Sequence, residues 1–211
     1  MPWVVSSSLS QPTFKMKYLL ESWIIFAAVA SLSWGSPAAA DDLTESPDGP
    51  EQVIVYLELE QALSKVFPGA DKFWSEEWVP SPAEKQSLEF ALGWHLNQES
   101  FVFHRASKKG KDLGYAMVDQ QLGRFKPITF MVQVLPEGKV GRVEVMVYRE
   151  SRGDGVKRQR FLKQFRGKST GDPIRMNRDI TVLSGATLSS RALTAGVRKV
   201  LTLVEKRYLN D

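Results

Sequence analysis

Four hydroxyls fall within seven residues near the C-terminal end of the chain, in Ser184-Gly185-Ala186-Thr187-Leu188-Ser189-Ser190. This stretch opens the last strongly helical segment. Small residues at a helix start leave backbone N–H groups exposed, and the helix dipole adds partial positive charge there. Together these favour a phosphate. A threonine hydroxyl inside such a site can do more than hydrogen-bond the phosphate, because it can be esterified by it. A plainer reading stays open on the residues alone. Ser184 or Thr187 could simply cap the helix, with Gly185 making a tight turn and Ala186 packing.

The elements that must position this segment are legible in the apolar periodicity. Leu188 to Arg207 forms the final helix, with Val197, Val200, Leu201, Val204 and Tyr208 on one face. Before it the period is two, and Ser100 to Arg105, Leu113 to Gln120, Pro127 to Leu135 and Lys139 to Arg149 read as strands. Pro136-Glu137-Gly138-Lys139 is a turn that makes the last two a hairpin. Glu150 to Gly155 is a loop, Phe161 to Phe165 a short helix and Gly167 to Pro173 a further loop.

Two helices precede the strands. Val53 to Phe67 carries Val53, Leu57, Leu63 and Val66 at helical spacing and stops at Pro68-Gly69. Ser81 caps a second helix, with Pro82 at its first position, running to about Leu92. Trp74, Trp78 and Trp94 nearby read as packing residues. The order predicts an α+β domain: N-terminal helices, a mainly antiparallel sheet, and a C-terminal helix whose start bears the phosphate site.

Composition excludes much of the competing chemistry. With 43% hydrophobic and 25% charged residues, the 211-residue chain has the make-up of a globular protein. It has no cysteine, so disulfides, thiolate zinc, iron–sulfur clusters and C-x-x-C-H haem attachment are impossible. Only His95 and His104 are present, too few for a multi-histidine metal site. A redox role therefore requires an organic cofactor. The formal net charge of +4 comes without a nucleic-acid motif, and Lys157-Arg158-Gln159-Arg160 reads as a solvated helix face. No Ser/His/Asp set or paired carboxylate argues for hydrolysis.

The N-terminal part reads as an export signal. Lys17 supplies a basic start, Trp23 to Leu32 a short apolar core, and Pro37-Ala38-Ala39-Ala40 a cleavage site. Met16 is the expected true start. Cleavage after Ala40 leaves a polar leader, residues 41–50, and a domain spanning 51–211. The apolar run is short for a membrane span, which takes about 20 residues.

In order, the landmarks Leu113-Gly114-Tyr115-Ala116, Pro127-Ile128-Thr129-Phe130-Met131-Val132, the 136–140 hairpin, Glu150-Ser151, residues 161–168 and Ser184-Gly185-Ala186-Thr187 carry a family likeness. From about Glu51 to Tyr208 the chain resembles the FMN-binding domain of covalently flavinylated bacterial proteins. That domain occurs in the C subunit of the sodium-pumping NADH:quinone reductase and the G subunit of the Rnf complex. The resemblance implies FMN joined to Thr187 by a phosphoester, installed by a separate flavin transferase. It surrounds the phosphate with Ser184, Gly185, Ala186, Leu188 and Ser189. Glu150, Ser151 and Lys126 become candidate ring contacts, and a cation such as Lys126 would favour an anionic reduced ring. The family's aspartate six residues before the modified threonine is Thr181 here, with Asp179 two residues away.

The implied function is an exported electron carrier between a membrane donor and an extracytoplasmic acceptor. A flavin-dependent periplasmic reductase acting on a small acceptor is the alternative within flavin chemistry. A cofactor-free periplasmic adaptor is the alternative outside it.

Overall fold

In the computed structural model, residues 53–209 are described; the expected signal (1–40) and leader (41–50) lie outside them. The elements in order are β1 (Ile54–Val55), α1 (Leu59–Val66), β2 (Lys72–Trp78), α2 (Pro82–Leu92), β3 (Phe101–Lys108), β4 (Lys111–Leu122), β5 (Pro127–Val134) and β6 (Val140–Tyr148). After a 3-10 turn at Asp154–Lys157 come α3 (Gln159–Leu162), continued as a 3-10 turn, and the long α4 (Thr187–Val204), which ends in a π turn to Leu209. The strands form one antiparallel sheet in the order β1-β6-β5-β4-β3-β2. The fold is α+β, as the sequence predicts.

Alternation along the strands sorts the side chains to two faces. On β5, Ile128, Phe130, Val132 and Val134 join the larger core with Val197, Val200, Leu201 and Val204 of α4. Met131 turns the other way and packs with Ala62, Val66 and Phe67 around α1. Helices therefore cover both faces, and α4 lies mainly across β4 and β5. Gly196 permits that approach: a Cβ there would collide with Phe130 Cζ and lie 2.9 Å from Asp119 Oδ2. Beneath the same helix, Lys199 Nζ meets Asp119 Oδ1 at 2.7 Å, with both side chains buried.

The strands and the β5–β6 hairpin fall within two or three residues of their expected ends. The N-terminal elements differ more. The expected helix over 53–67 is confined to Leu59–Val66, because Ile54 and Val55 pair with Tyr148 and Val147 of β6. The helix starts where Glu58 and Gln61 form a capping box, with the Glu58 N–H donating to Gln61 Oε1 at 3.0 Å. β2 has no counterpart in the periodicity reading. It is an edge strand whose first four side chains are exposed, so burial imposes no alternation on Lys72-Phe73-Trp74-Ser75.

α2 matches its expected cap and length. Ser81 Oγ accepts from the Glu84 N–H, and Glu84 Oε2 accepts from the Ser81 N–H at 2.8 Å. The Ser81 hydroxyl, donating to Glu84 Oε2 at 2.7 Å, and the Ser81 N–H together hold the Glu84 carboxyl below its ordinary range. Trp78 is buried between Phe101 and Phe103, whereas Trp74 is exposed and receives the Arg105 guanidinium over its ring. Lys157 to Arg160 remain exposed. Among the described residues, no helix is long and apolar enough to cross a membrane.

Candidate functional site

A cleft of about 860 Å³ opens where three segments converge. Gly185 to Ser189 contribute the start of α4, Glu150 to Gly153 the loop after β6, and Arg124 and Phe125 the turn between β4 and β5. The cleft thus gathers Gly185, Ala186, Thr187, Leu188, Ser189, Glu150 and Ser151 from the residues singled out in the sequence. Ser184 and Lys126 lie next to it in the chain but outside its lining.

Thr187 is the first residue of α4, and its side chain is exposed. The helical ladder begins with the Ser190 N–H donating to the Ala186 carbonyl at 2.8 Å. The N–H groups of Thr187, Leu188 and Ser189 therefore lie outside the helix's own bonding. Ala186 occupies the cap position with no side chain able to accept from them. Gly185, at φ +76°, makes the left-handed turn that delivers the chain to this start.

Ser189 is placed differently from Thr187. Its Oγ is buried and lies 2.9 Å from Tyr148 Oη, which itself donates to the Arg152 carbonyl at 2.5 Å. With the single phenolic proton so used, Ser189 is the donor in the serine–tyrosine bond. Burial pushes the Tyr148 phenol up, so it stays protonated. This chain ties the β6 loop to the first turn of α4. Gly153, at φ +89°, makes room for it, since a Cβ there would lie 2.7 Å from Ser189 Oγ and 2.8 Å from Tyr148 Oη. Tyr148→Phe is expected to lower stability by about 1 kcal/mol through the lost bonds. Gly153→Ala adds backbone strain and a clash, so its urea midpoint should fall below that of Tyr148→Phe.

Glu150 organises the opposite wall. Its Oε1 accepts from the Phe125 N–H at 2.9 Å and the Lys126 N–H at 3.2 Å, fixing the β4–β5 turn over the cleft. The Arg124 guanidinium lies 4.7 Å from the Phe125 ring centroid. Arg124 and Phe125 are not among the residues singled out in the sequence, although Gly123-Arg124-Phe125-Lys126 between two alternating segments has the signature of a hairpin turn.

Asp179 and Thr181 are both engaged in the loop before α4. The Asp179 carboxylate accepts from the Ile174 N–H (3.1 Å), the Arg175 N–H (2.7 Å) and Lys168 Nζ (2.8 Å). Burial alone would raise this carboxyl, but those bonds hold it below the ordinary range. Thr181 is held by its backbone, its N–H donating to Gln164 Oε1 at 2.7 Å and its carbonyl accepting from Gln164 Nε2 at 3.1 Å. Asp179 is thus committed to shaping the loop and does not line the cleft.

The histidines stand apart from the cleft. His104 Nδ1 lies 2.7 Å from Ser75 Oγ, and burial holds the imidazole below its ordinary value. His95 pairs with Glu89 at 3.1 Å. Among the described residues no group of three or more metal-ligating side chains forms.

Orphan N–H donors at a helix start, two arginines and the apolar Phe125 and Leu188 make this a site for a phosphorylated, partly apolar ligand. Its volume suits a cofactor. Residues 123–202 match the model of the FMN-binding domain, and every residue lining the cleft falls inside the match. The chain is also 28% identical over 110 residues to the G subunit of the proton-translocating ferredoxin:NAD(+) oxidoreductase complex of Clostridium ljungdahlii. That alignment covers 48% of this chain and 59% of the relative, so the chain spans less than two thirds of it. The crystal structure of Shewanella oneidensis NqrC superposes with a TM-score of 0.42 at 14% identity, covering 74% of this chain and 79% of that one.

Proposed function

We propose that this chain carries FMN as a phosphoester on Thr187 and relays electrons outside the cytoplasm between a membrane donor and an extracytoplasmic acceptor. The supporting observation is the contrast within the first turn of α4. The Thr187 hydroxyl is exposed at the cleft beside three N–H groups outside the ladder, while the Ser189 hydroxyl is buried against Tyr148. Of these two hydroxyls, that of Thr187 combines access for a modifying enzyme with donors placed for the phosphate that results.

The attachment is a phosphoryl transfer with FAD as donor. The Thr187 Oγ1 attacks the flavin-side phosphorus, the pyrophosphate bond breaks, and AMP leaves, with the hydroxyl proton passing to the transferase or solvent. A separate flavin transferase is the proposed catalyst. The N–H groups of residues 187–189 then hold the phosphate oxygens, helped by the helix dipole. Arg124 and Arg152 add positive charge, and Phe125 and Leu188 offer apolar surface to the ring. Bound there, FMN supplies reversible electron transfer.

A covalent bond suits an exported carrier, because free FMN outside the cell membrane is dilute and a lost cofactor is not readily replaced. The proposal extends the relative's type of assembly to this chain: the electron donor would be a membrane redox complex. Export through the 1–40 signal, with cleavage after Ala40, belongs to the same proposal. Coexpression with a flavin transferase and an export pathway is expected to yield yellow protein with a flavin absorbance spectrum. Colourless protein under those conditions would overturn the reading and favour a cofactor-free adaptor.

A further inference from the structure

Around the cleft mouth the surface combines two features that rarely lie exposed together without a partner. Leu122 is 66% exposed, Phe125 51% and Leu188 40%, and all three come from the two walls of the cleft or the strand end leading into it. Arg124 and Arg152 line the same mouth. Arg191 lies one turn along α4, on the face shared by Thr187 and Leu188, and is exposed.

The guanidinium groups here are not matched by carboxylates among the described residues. Among the described residues, no carboxylate lies within ion-pair distance of Arg124, Arg152 or Arg191. The lining has one carboxylate, that of Glu150, and it is turned into the β4–β5 turn to accept two N–H groups. Nearby Asp154 is matched by Lys157 at 2.9 Å. Arg149 is spent on the Pro127 carbonyl and Thr129 Oγ1. A phosphodiester in the cleft and the Glu150 carboxylate would set two negative charges against three guanidinium groups, so the mouth stays positive with the phosphate bound.

We infer that this mouth is the electron-exchange surface, and that the redox partner meeting it presents carboxylates around a small apolar contact. Resting on the flavin reading above, the inference adds the chemistry of the partner. Apolar Leu122 and Leu188 give short-range contact, and the arginines steer an oppositely charged face into register before contact. Rim charges act chiefly on the association rate and are screened over about 10 Å at 0.1 M salt.

Ionic oxidants probe this directly. Flavin-loaded protein is reduced anaerobically and mixed with ferricyanide, an anion, or with hexaammineruthenium(III), a cation, and reoxidation is followed by flavin absorbance. Two ferricyanide ions take the two electrons of each reduced flavin, and its protons pass to solvent. Rates are normalised to bound flavin. Oxidation by ferricyanide is expected to slow as salt rises, and oxidation by the ruthenium complex to quicken.

Arg124→Glu/Arg191→Glu should slow ferricyanide by about tenfold at low salt and speed the cation, with the difference vanishing at high salt. Arg191→Glu alone, outside the cleft lining, should show the same signs with a smaller change. Equal salt dependence for the two oxidants, or variants that shift both rates in one direction, would overturn the inference while leaving the flavin intact. Protein without flavin overturns the flavin reading instead, and this inference falls with it.

Discussion

Thr187→Val is expected to abolish flavin fluorescence in a denaturing gel, against a strong band for the parent chain. Valine keeps the branched shape at the first position of α4 and removes only the hydroxyl, so folding should persist. The loss is therefore one of chemistry: with no oxygen nucleophile at the first position of α4, no phosphoester forms there. Ser189→Ala is the companion variant. It removes a buried hydroxyl bonded to Tyr148, costs about 1 kcal/mol, and should leave much of the fluorescence. The pair discriminates because the two hydroxyls are two residues apart in one turn yet face different surroundings. Full fluorescence in Thr187→Val would move the attachment elsewhere.

The second large effect concerns what fixes α4 in place. Lys199 and Asp119 form a pair with side chains 2% and 1% exposed, 2.7 Å apart, linking the helix to β4. Gln98 and Gln121 complete it, with Lys199 Nζ donating to Gln98 Oε1 at 3.1 Å and Gln121 Nε2 to Asp119 Oδ2 at 2.8 Å. Removing one partner leaves a buried charge without its counter-ion, which typically costs about 3–5 kcal/mol. Asp119→Ala should therefore lower the unfolding free energy by about 3–5 kcal/mol in urea titration, a large share of a domain's usual range of roughly 5–15 kcal/mol. Asp119→Leu/Lys199→Met, which removes both charges and keeps volume, should recover most of that loss. A single variant within about 1 kcal/mol of the parent would show that the pair contributes little.

At this pair the sequence stops being legible. Lys199 lies on the side of α4 shared with Ala192, Gly196 and Leu203, away from the Val197–Leu201–Val204 stripe, and periodicity alone gives no reason for that side to be buried. Its partner lies 80 positions earlier, and only the sheet brings the two together. Gly196 is similar: a helix-interior glycine explained only by the Phe130 ring pressed against it. By contrast, the strands β3 to β6 are readable because they are long runs rich in β-branched and aromatic residues bounded by turn residues, even though β5 is buried on both faces. Edge strand β2 is largely exposed, so burial imposes no pattern on it, and β1 is too short to show a period.

The candidate site divides in the same way. Its helix start is legible because glycine, small residues and hydroxyls at a helix beginning have a local physical meaning. The β4–β5 turn is not, since Arg124 and Phe125 reach the cleft only through the antiparallel register of two long strands and the Glu150 carboxylate that pins them. The same register accounts for Lys126: its N–H bonds Glu150, while the residue itself lies outside the lining. Asp179, near in sequence to the family's aspartate position, is drawn into a loop of its own by Lys168 and two backbone N–H groups.

The flavin reading comes down to a single covalent bond, and mass spectrometry reads that bond directly. Protein coexpressed with a flavin transferase and exported is measured intact, then digested and sequenced by fragmentation. The expected product is a chain beginning at Asp41 that is heavier by one FMN less one water, with the added mass confined to the peptide containing Thr187 and lost in Thr187→Val. A chain of unmodified mass that nonetheless binds flavin reversibly, or an added mass on another residue, would contradict it.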